Sequence, residues 1–327
     1  MFDVITFGSA TRDVFVYSKN FRILESEEFV TGRAFCFNLG SKIEVDKIIF
    51  TTGGGGTNTA CGFSRLGLKS AVVSQIGNDP GGQIITEDLK KEKVNNRFLL
   101  KSEVFYTAYS IILSIPGSER TILVHRGASE NIPYQDIPWE KLKAKWFYIT
   151  SLGGDFMLLE KIFKTAWEKK IKVAINPGSK ELERSYDLFP LIKKADILFL
   201  NQEEAAKLTG LSFKKPQEIL KKLDEEIKGI VVMTCGAQGS MAAKDDKIYQ
   251  AGILKVAVAE RTGAGDAFGC GFLTDMILKN KIEDALQLGT ANATSVIQKI
   301  GAKVGLLAKN DLVNFKKVEV KKLESGI

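Results

Sequence analysis

Residues 260–272 read ERTGAGDAFGCGF, which places four glycines around one aspartate, Asp266. The stretch AVAERTG before it reads as a strand entering a turn. Residues 264–278 read as a helix, because Phe268, Phe272 and Met276 recur every four residues. Gly263, Ala264 and Gly265 then lie where that helix begins. The first backbone N–H groups of a helix lack intrahelical partners, and the dipole favours negative charge there. With no bulky side chains in the way, these amides can close on an anion. An anion cradle beside a carboxylate suits phosphoryl transfer: the amides stabilise charge on the moving group, and Asp266 takes the proton of the attacking hydroxyl. A glycine turn that packs a helix onto a sheet, with Asp266 as its cap, explains the same letters. A lone G-x-G does not choose between them. Gly269 and Gly271 suit helix packing better than ligand contact.

Other glycine-loop chemistries do not fit. The chain has no G-x-x-x-x-G-K-[ST], so it holds no P-loop. GAGDAF lacks the third glycine of a dinucleotide fingerprint and comes late, where an oxidoreductase would place it on an early strand. His125 is the one histidine and lies in a strand-like run, TILVHRGA, which leaves a histidine-based triad without support. Cys36, Cys61, Cys235 and Cys270 form no C-x-x-C pair, so zinc spacing is missing, and scattered thiols fit a reducing, cytoplasmic setting. The start, MFDVITFGSA, reads as a first strand without the basic region of a signal peptide. No apolar run reaches membrane-spanning length. The net charge of +7 is spread over mixed clusters such as KKEK at 90–93, and no nucleic-acid module is visible. A basic balance also suits phosphorylated ligands.

The elements that must position these residues show as β-α alternation. Near-continuous apolar runs at 4–8, 71–76, 146–150, 173–176, 197–200 and 230–234 read as strands buried on both faces. Helical patterns follow at 57–66, 82–92, 156–169 and 202–209. This predicts a single α/β domain over residues 1–327 around a doubly wound, mostly parallel sheet. Residues 33–52 and 104–125 break the alternation and read as hairpins, with turns at Leu39–Gly40 and Pro116–Gly117. The strands inserted within about 14–52 and 104–125 would make a small β lid over the site, or a face that pairs with a second subunit.

RTGAGDAFGCGF resembles the C-terminal signature of the ribokinase-like (PfkB-type) carbohydrate kinases, D-T-x-G-A-G-D-x-F. Further landmarks follow that family's order: GSATRD at 8–13, GGGGTNTA at 53–60 with IGNDPGG at 76–82, NQEE at 201–204 and TCGAQG at 234–239. The resemblance spans most of the chain and implies a three-layer α/β fold with a small β-sheet lid. It implies ATP and Mg²⁺, and transfer to a hydroxymethyl group of a sugar or related acceptor. Asp266 would be the base, with Gly263, Ala264 and Gly265 as anion hole. Asp13, Thr11, Gly53, Gly54 and Asn58 would hold the acceptor, although Thr57 or Asn58 also reads as a helix cap. Asn201, Thr234, Gly236, Gly239 and Asn292 would serve the nucleotide, with Asn176 as a further phosphate-side candidate. Glu204 would serve the metal.

Departures from the pattern bear on specificity. Glu260–Arg261 replaces Asp–Thr in a region that helps hold a monovalent cation, which leaves that requirement open. Thr11 replaces an asparagine, and SLGGD at 151–155 lacks a glutamate used for ribose. A nucleoside kinase, or a phosphosugar kinase using Arg12, Arg33 or Arg126 for a second phosphate, is an alternative within the family. A non-catalytic sugar or nucleotide sensor is an alternative outside enzymology. A homodimer through the lid is a further expectation, with no nucleic-acid or membrane partner.

Overall fold

The structure, a computed structural model, describes residues 1–29, 31–115 and 120–323. β1 (Phe2–Phe7) runs almost directly into β2 (Thr11–Tyr17), and β3 (Arg22–Glu25) and β4 (Arg33–Cys36) precede β5 (Lys47–Gly53) and α1 (Gly55–Arg65). β6 (Ser70–Gly77), α2 (Pro80–Lys91) and β7 (Asn95–Ser102) follow, then β8 (Ala108–Ser114) and β9 (Arg120–His125). The alternation resumes with β10 (Ala144–Ile149), α3 (Phe156–Lys169), β11 (Lys172–Ile175), α4 (Ser179–Glu183) and α5 (Ser185–Ile192). It continues through β12 (Ile197–Asn201), α6 (Gln202–Thr209), α7 (Pro216–Glu226) and β13 (Ile230–Thr234). The chain closes with β14 (Ser240–Lys244), β15 (Lys247–Ala251), α8 (Ala264–Leu278), α9 (Ile282–Val296) and β16 (Val320–Leu323).

The large sheet has the order β16-β15-β14-β13-β12-β11-β10-β1-β6-β7. All pairings from β13 to β7 are parallel, and β14 to β16 add an antiparallel edge. The parallel strands are buried on both faces because their alternate residues feed different cores. Ile5, Phe7, Phe147, Ile149 and Leu198 pack on the side of α3, α5 and α7. Val4, Tyr148, Phe199 and Val232 pack against Phe63 of α1, Phe268 and Phe272 of α8 and Leu286 of α9. This is the three-layer α/β fold expected from the alternation.

The inserted strands depart from the expected pair of hairpins. β8 and β9 are antiparallel neighbours, as read from 104–125; the turn assigned to Pro116–Gly117 lies outside the described residues. Residues 33–52 do not form one hairpin. β4 pairs with β3 in a separate two-stranded sheet, while β5 pairs with β2. The local sequence carries the alternation of each strand, but Phe21, which packs edge-on against Phe35 and Phe37, draws β4 back to β3. The resulting four-stranded sheet, β5-β2-β8-β9, therefore takes its second strand from the residues immediately after β1, and Asp13 belongs to it. A second departure lies before α8. Residues 252–262 form no strand; Ala259 and Glu260 instead donate their N–H groups to the Ile297 carbonyl at the end of α9.

Candidate active site

The C-terminal ends of β11, β12 and β13 and the N-terminus of α8 line one groove, the usual location for ligands in an open α/β sheet. Gly263 caps α8 with φ 79°, a left-handed conformation open to glycine at little cost. A Cβ there would also collide with Ala302. Gly265 is different: its backbone is ordinary helix and a Cβ would meet nothing within 4 Å. Its bareness therefore keeps space open rather than allowing a turn.

Asp266 stands in the first turn of α8. Burial pushes its carboxyl up to about 6, against the opposing pull of the Asn58 amide and the Lys303 charge. Asn58 Nδ2 donates to Asp266 Oδ2 at 2.8 Å. Asn58 is not a helix cap. α1 starts two residues earlier than expected, with Gly54 as its cap at φ 94°, so Asn58 lies inside the helix and holds the Asp266 carboxylate. Its buried Oδ1 has no hydrogen-bond partner.

Asp13 lies 4% exposed on β2, and its Oδ1 accepts the Thr11 hydroxyl at 3.0 Å. Gly53 sits so close that a Cβ would come within 1.9 Å of the Asp13 carboxylate. Burial raises the Asp13 pKa above the usual value, although the Thr11 and Ser110 hydroxyls and the Lys303 and Arg12 charges oppose it. Thr11, Gly53 and Asp13 thus form one cluster, as their sequence positions suggested.

Two adjoining cavities meet at Gly265. The larger, about 490 Å³, is mostly apolar and is lined by Thr234, Gly236, Gly239, Val256, Thr290 and Ile297, among others. The smaller, about 240 Å³, is lined by Asn176, Asn201, Glu204 and Thr234 and ends at Gly263 to Asp266. Asn201 and Glu204 close a reciprocal cap on α6: Glu204 N donates to Asn201 Oδ1, and Asn201 N to Glu204 Oε2, both at 2.8 Å. The two residues thus cap α6 and line the smaller cavity at once. Burial raises the Glu204 carboxyl above its usual range, the Asn201 amide opposing and Glu203 adding to it. One carboxylate and one amide at a phosphate-sized cavity fit magnesium, which keeps most of its waters.

Some expected residues go elsewhere. Asn292 is fully buried; its Nδ2 donates to Ala267 O at 2.7 Å and its Oδ1 accepts Leu307 N at 2.9 Å. It braces α9 against α8, while Thr290, Ala293 and Thr294 face the larger cavity. Arg12 follows the strand alternation away from Asp13, and its Nη1 donates to the Thr51 carbonyl. Arg33 pairs with Glu25 and Arg126 with Glu130. Glu260 stands where the family pattern has an aspartate in the region tied to a monovalent cation. It is buried, forms an ion pair with Arg120 of β9 and accepts the N–H of Thr262 at 2.6 Å. Arg120 was missed, because nothing local marks a partner 140 residues away.

The pfkB family carbohydrate kinase domain matches residues 1–309. An uncharacterized sugar kinase from Archaeoglobus fulgidus is 29% identical over 75% of this chain and 98% of its own. An ATP-dependent 6-phosphofructokinase from Thermoanaerobacterium thermosaccharolyticum is 25% identical over 82% of this chain and 85% of its own. The crystal structure of the Methanocaldococcus jannaschii nucleoside kinase, of the ribokinase family, superposes with a TM-score of 0.76 at 23% identity, covering 96% of this chain and 97% of that one. The chain belongs to the pfkB family of carbohydrate kinases, has the ribokinase fold and is a sugar or nucleoside kinase, a phosphotransferase with an alcohol acceptor.

Proposed function

We propose that the chain moves the γ-phosphoryl group of ATP to a hydroxymethyl group of a sugar or related acceptor held at Asp13. The observation that carries this reading is the position of Asp266: oriented by Asn58, it adjoins the helix N-terminus Gly263–Gly265 at the meeting point of the two cavities. The larger, apolar cavity suits a nucleotide base and ribose beside Thr234 and Gly236. The smaller suits its phosphates, with Asn201 and Glu204 beside the magnesium they carry. Bound there, Mg²⁺ would supply charge neutralisation for the phosphates.

Asp13 and Thr11 would orient the acceptor hydroxyls, since a carboxylate accepts from two at once. Asp266 then takes the proton of the attacking hydroxyl, and the amides of Ala264 and Gly265 stabilise the transferring charge. The sheet β5-β2-β8-β9 would act as a lid that excludes water. Its outward face carries Ile48, Phe50, Ile111 and Leu123, exposed and joined across β2 by Val14 and Val16, which supports pairing of two lids in a homodimer. Glu260 already faces Arg120, which supports catalysis without a monovalent cation at that carboxylate. Four free thiols support a cytoplasmic setting.

The deciding experiment measures ADP release across a panel of sugars, sugar phosphates and nucleosides, with Asp266→Asn as control. At least one acceptor should turn over, and the variant should lose about 10²–10⁴-fold in kcat while still binding substrates. Nucleotide binding without turnover of any acceptor would identify a sensor instead.

A further inference from the structure

Behind the groove lies a buried cation that the transfer just described does not use. Lys303 is 6% exposed, and its Nζ donates to Thr52 Oγ1 at 2.8 Å and to Asp88 Oδ2 at 2.9 Å. Thr52 precedes Gly53, the residue packed on the Asp13 carboxylate. Ala302, the neighbour of Lys303, backs Gly263 so closely that a Cβ on that glycine would lie 2.4 Å from the alanine methyl. Gly301 in turn meets Thr51 of β5. The segment 301–303 therefore touches both the strand behind the acceptor carboxylate and the start of the anion hole.

We propose that Lys303 is a positioning residue for the phosphoryl transfer, fixing Gly53 and Gly263 relative to one another and keeping Asp13 and Asp266 ionised. This rests on the reading of Asp266 as base. The surrounding charges favour it. Around Lys303 stand Asp88 and Glu92 of α2, Arg65 and Cys61 of α1, and Asp13 and Arg12 of β2. Facing Asp266 are Asn58 of α1, Tyr148 of β10 and Cys270 of its own helix. Arg65 is occupied by Glu92 at 2.6 Å and by the Lys303 carbonyl at 2.7 Å, and Arg12 is turned to Thr51. Of these cations Lys303 alone acts on Asp13, Asp88 and Asp266 together. Burial pushes Asp88 up, yet the Lys303 charge and the Thr52 hydroxyl outweigh it and hold that carboxyl below its usual value.

The test is the pH profile of kcat/KM for Lys303→Met, Lys303→Arg and Asp88→Asn. Loss of the positive charge should move the acidic limb upward by about one pH unit, with about a fivefold loss at pH 6, while arginine restores the limb. Asp88→Asn removes a negative charge instead and should move the limb downward. A structural role alone would lower activity equally at all pH values in Lys303→Met, and that result overturns the proposal. So does an upward or absent shift in Asp88→Asn, which decides the matter if Lys303→Met does not fold. Normal turnover in Asp266→Asn would instead overturn the assignment of the base.

Discussion

A carboxylate that takes a proton from an alcohol near neutral pH works best when its own pKa lies close to the working range. Asp266 is placed there, at about 6, by burial. The sign follows directly. Below that value the carboxyl holds a proton and cannot accept another; above it the base is free. We expect kcat/KM to rise about tenfold per pH unit up to about pH 6 and then level off, with burial of Asp13 acting in the same direction. An acidic limb near the ordinary aspartate pKa would contradict this. Gly265 gives a second test. A Cβ there meets nothing within 4 Å and valine forms helix better than glycine, but its side chain would enter the space proposed for the phosphates. Gly265→Val should melt close to the wild type and lose at least about 10²-fold in turnover, the scale of one lost oxyanion donor. Full activity would make this loop purely structural.

At the scale of elements, the site is assembled from pieces that the sequence separates widely. The small sheet carries Asp13 on β2 and, on β9, Arg120, which reaches Glu260 in the turn before α8. Replacing Asp13 with alanine removes a charged hydrogen-bond acceptor worth roughly 1.5–3 kcal/mol, so kcat/KM should fall about 10- to 150-fold while ATP affinity is retained. Equal losses for ATP and acceptor would contradict the division of the groove. Arg120→Met strands a buried carboxylate, a larger penalty than removing both partners. Thermal melts should rank Arg120→Met below the double variant Arg120→Met, Glu260→Gln. The reverse order would show that the pair does not couple β9 to the turn before α8.

At the scale of the whole molecule, the outward face of the small sheet leaves Phe50 63% and Leu123 52% exposed, on its two edge strands β5 and β9. Sedimentation should find a dimer that Phe50→Asp converts to monomer; a wild-type monomer would rule out pairing through this face. The large sheet was legible in the sequence because its strands are buried on both faces and are simple apolar runs. The glycine loops were legible because a cradle for phosphate needs a bare backbone at a helix start, a local requirement that fixes residue types at short spacing. Gly263, Ala264, Gly265 and Asp266 could therefore be placed at a helix start from their letters, while Thr11, Asp13 and Gly53 came only through the family resemblance. What a side chain does once placed depends on neighbours far away in the chain. Only the tertiary structure turned Asn58 toward Asp266, drew Asn292 into the α8–α9 contact and set Arg120 against Glu260. It also sent the two halves of 33–52 into different sheets. Strand partners and long-range polar pairs are decided by which buried groups remain to be satisfied after the chain collapses, and no spacing within one segment records that.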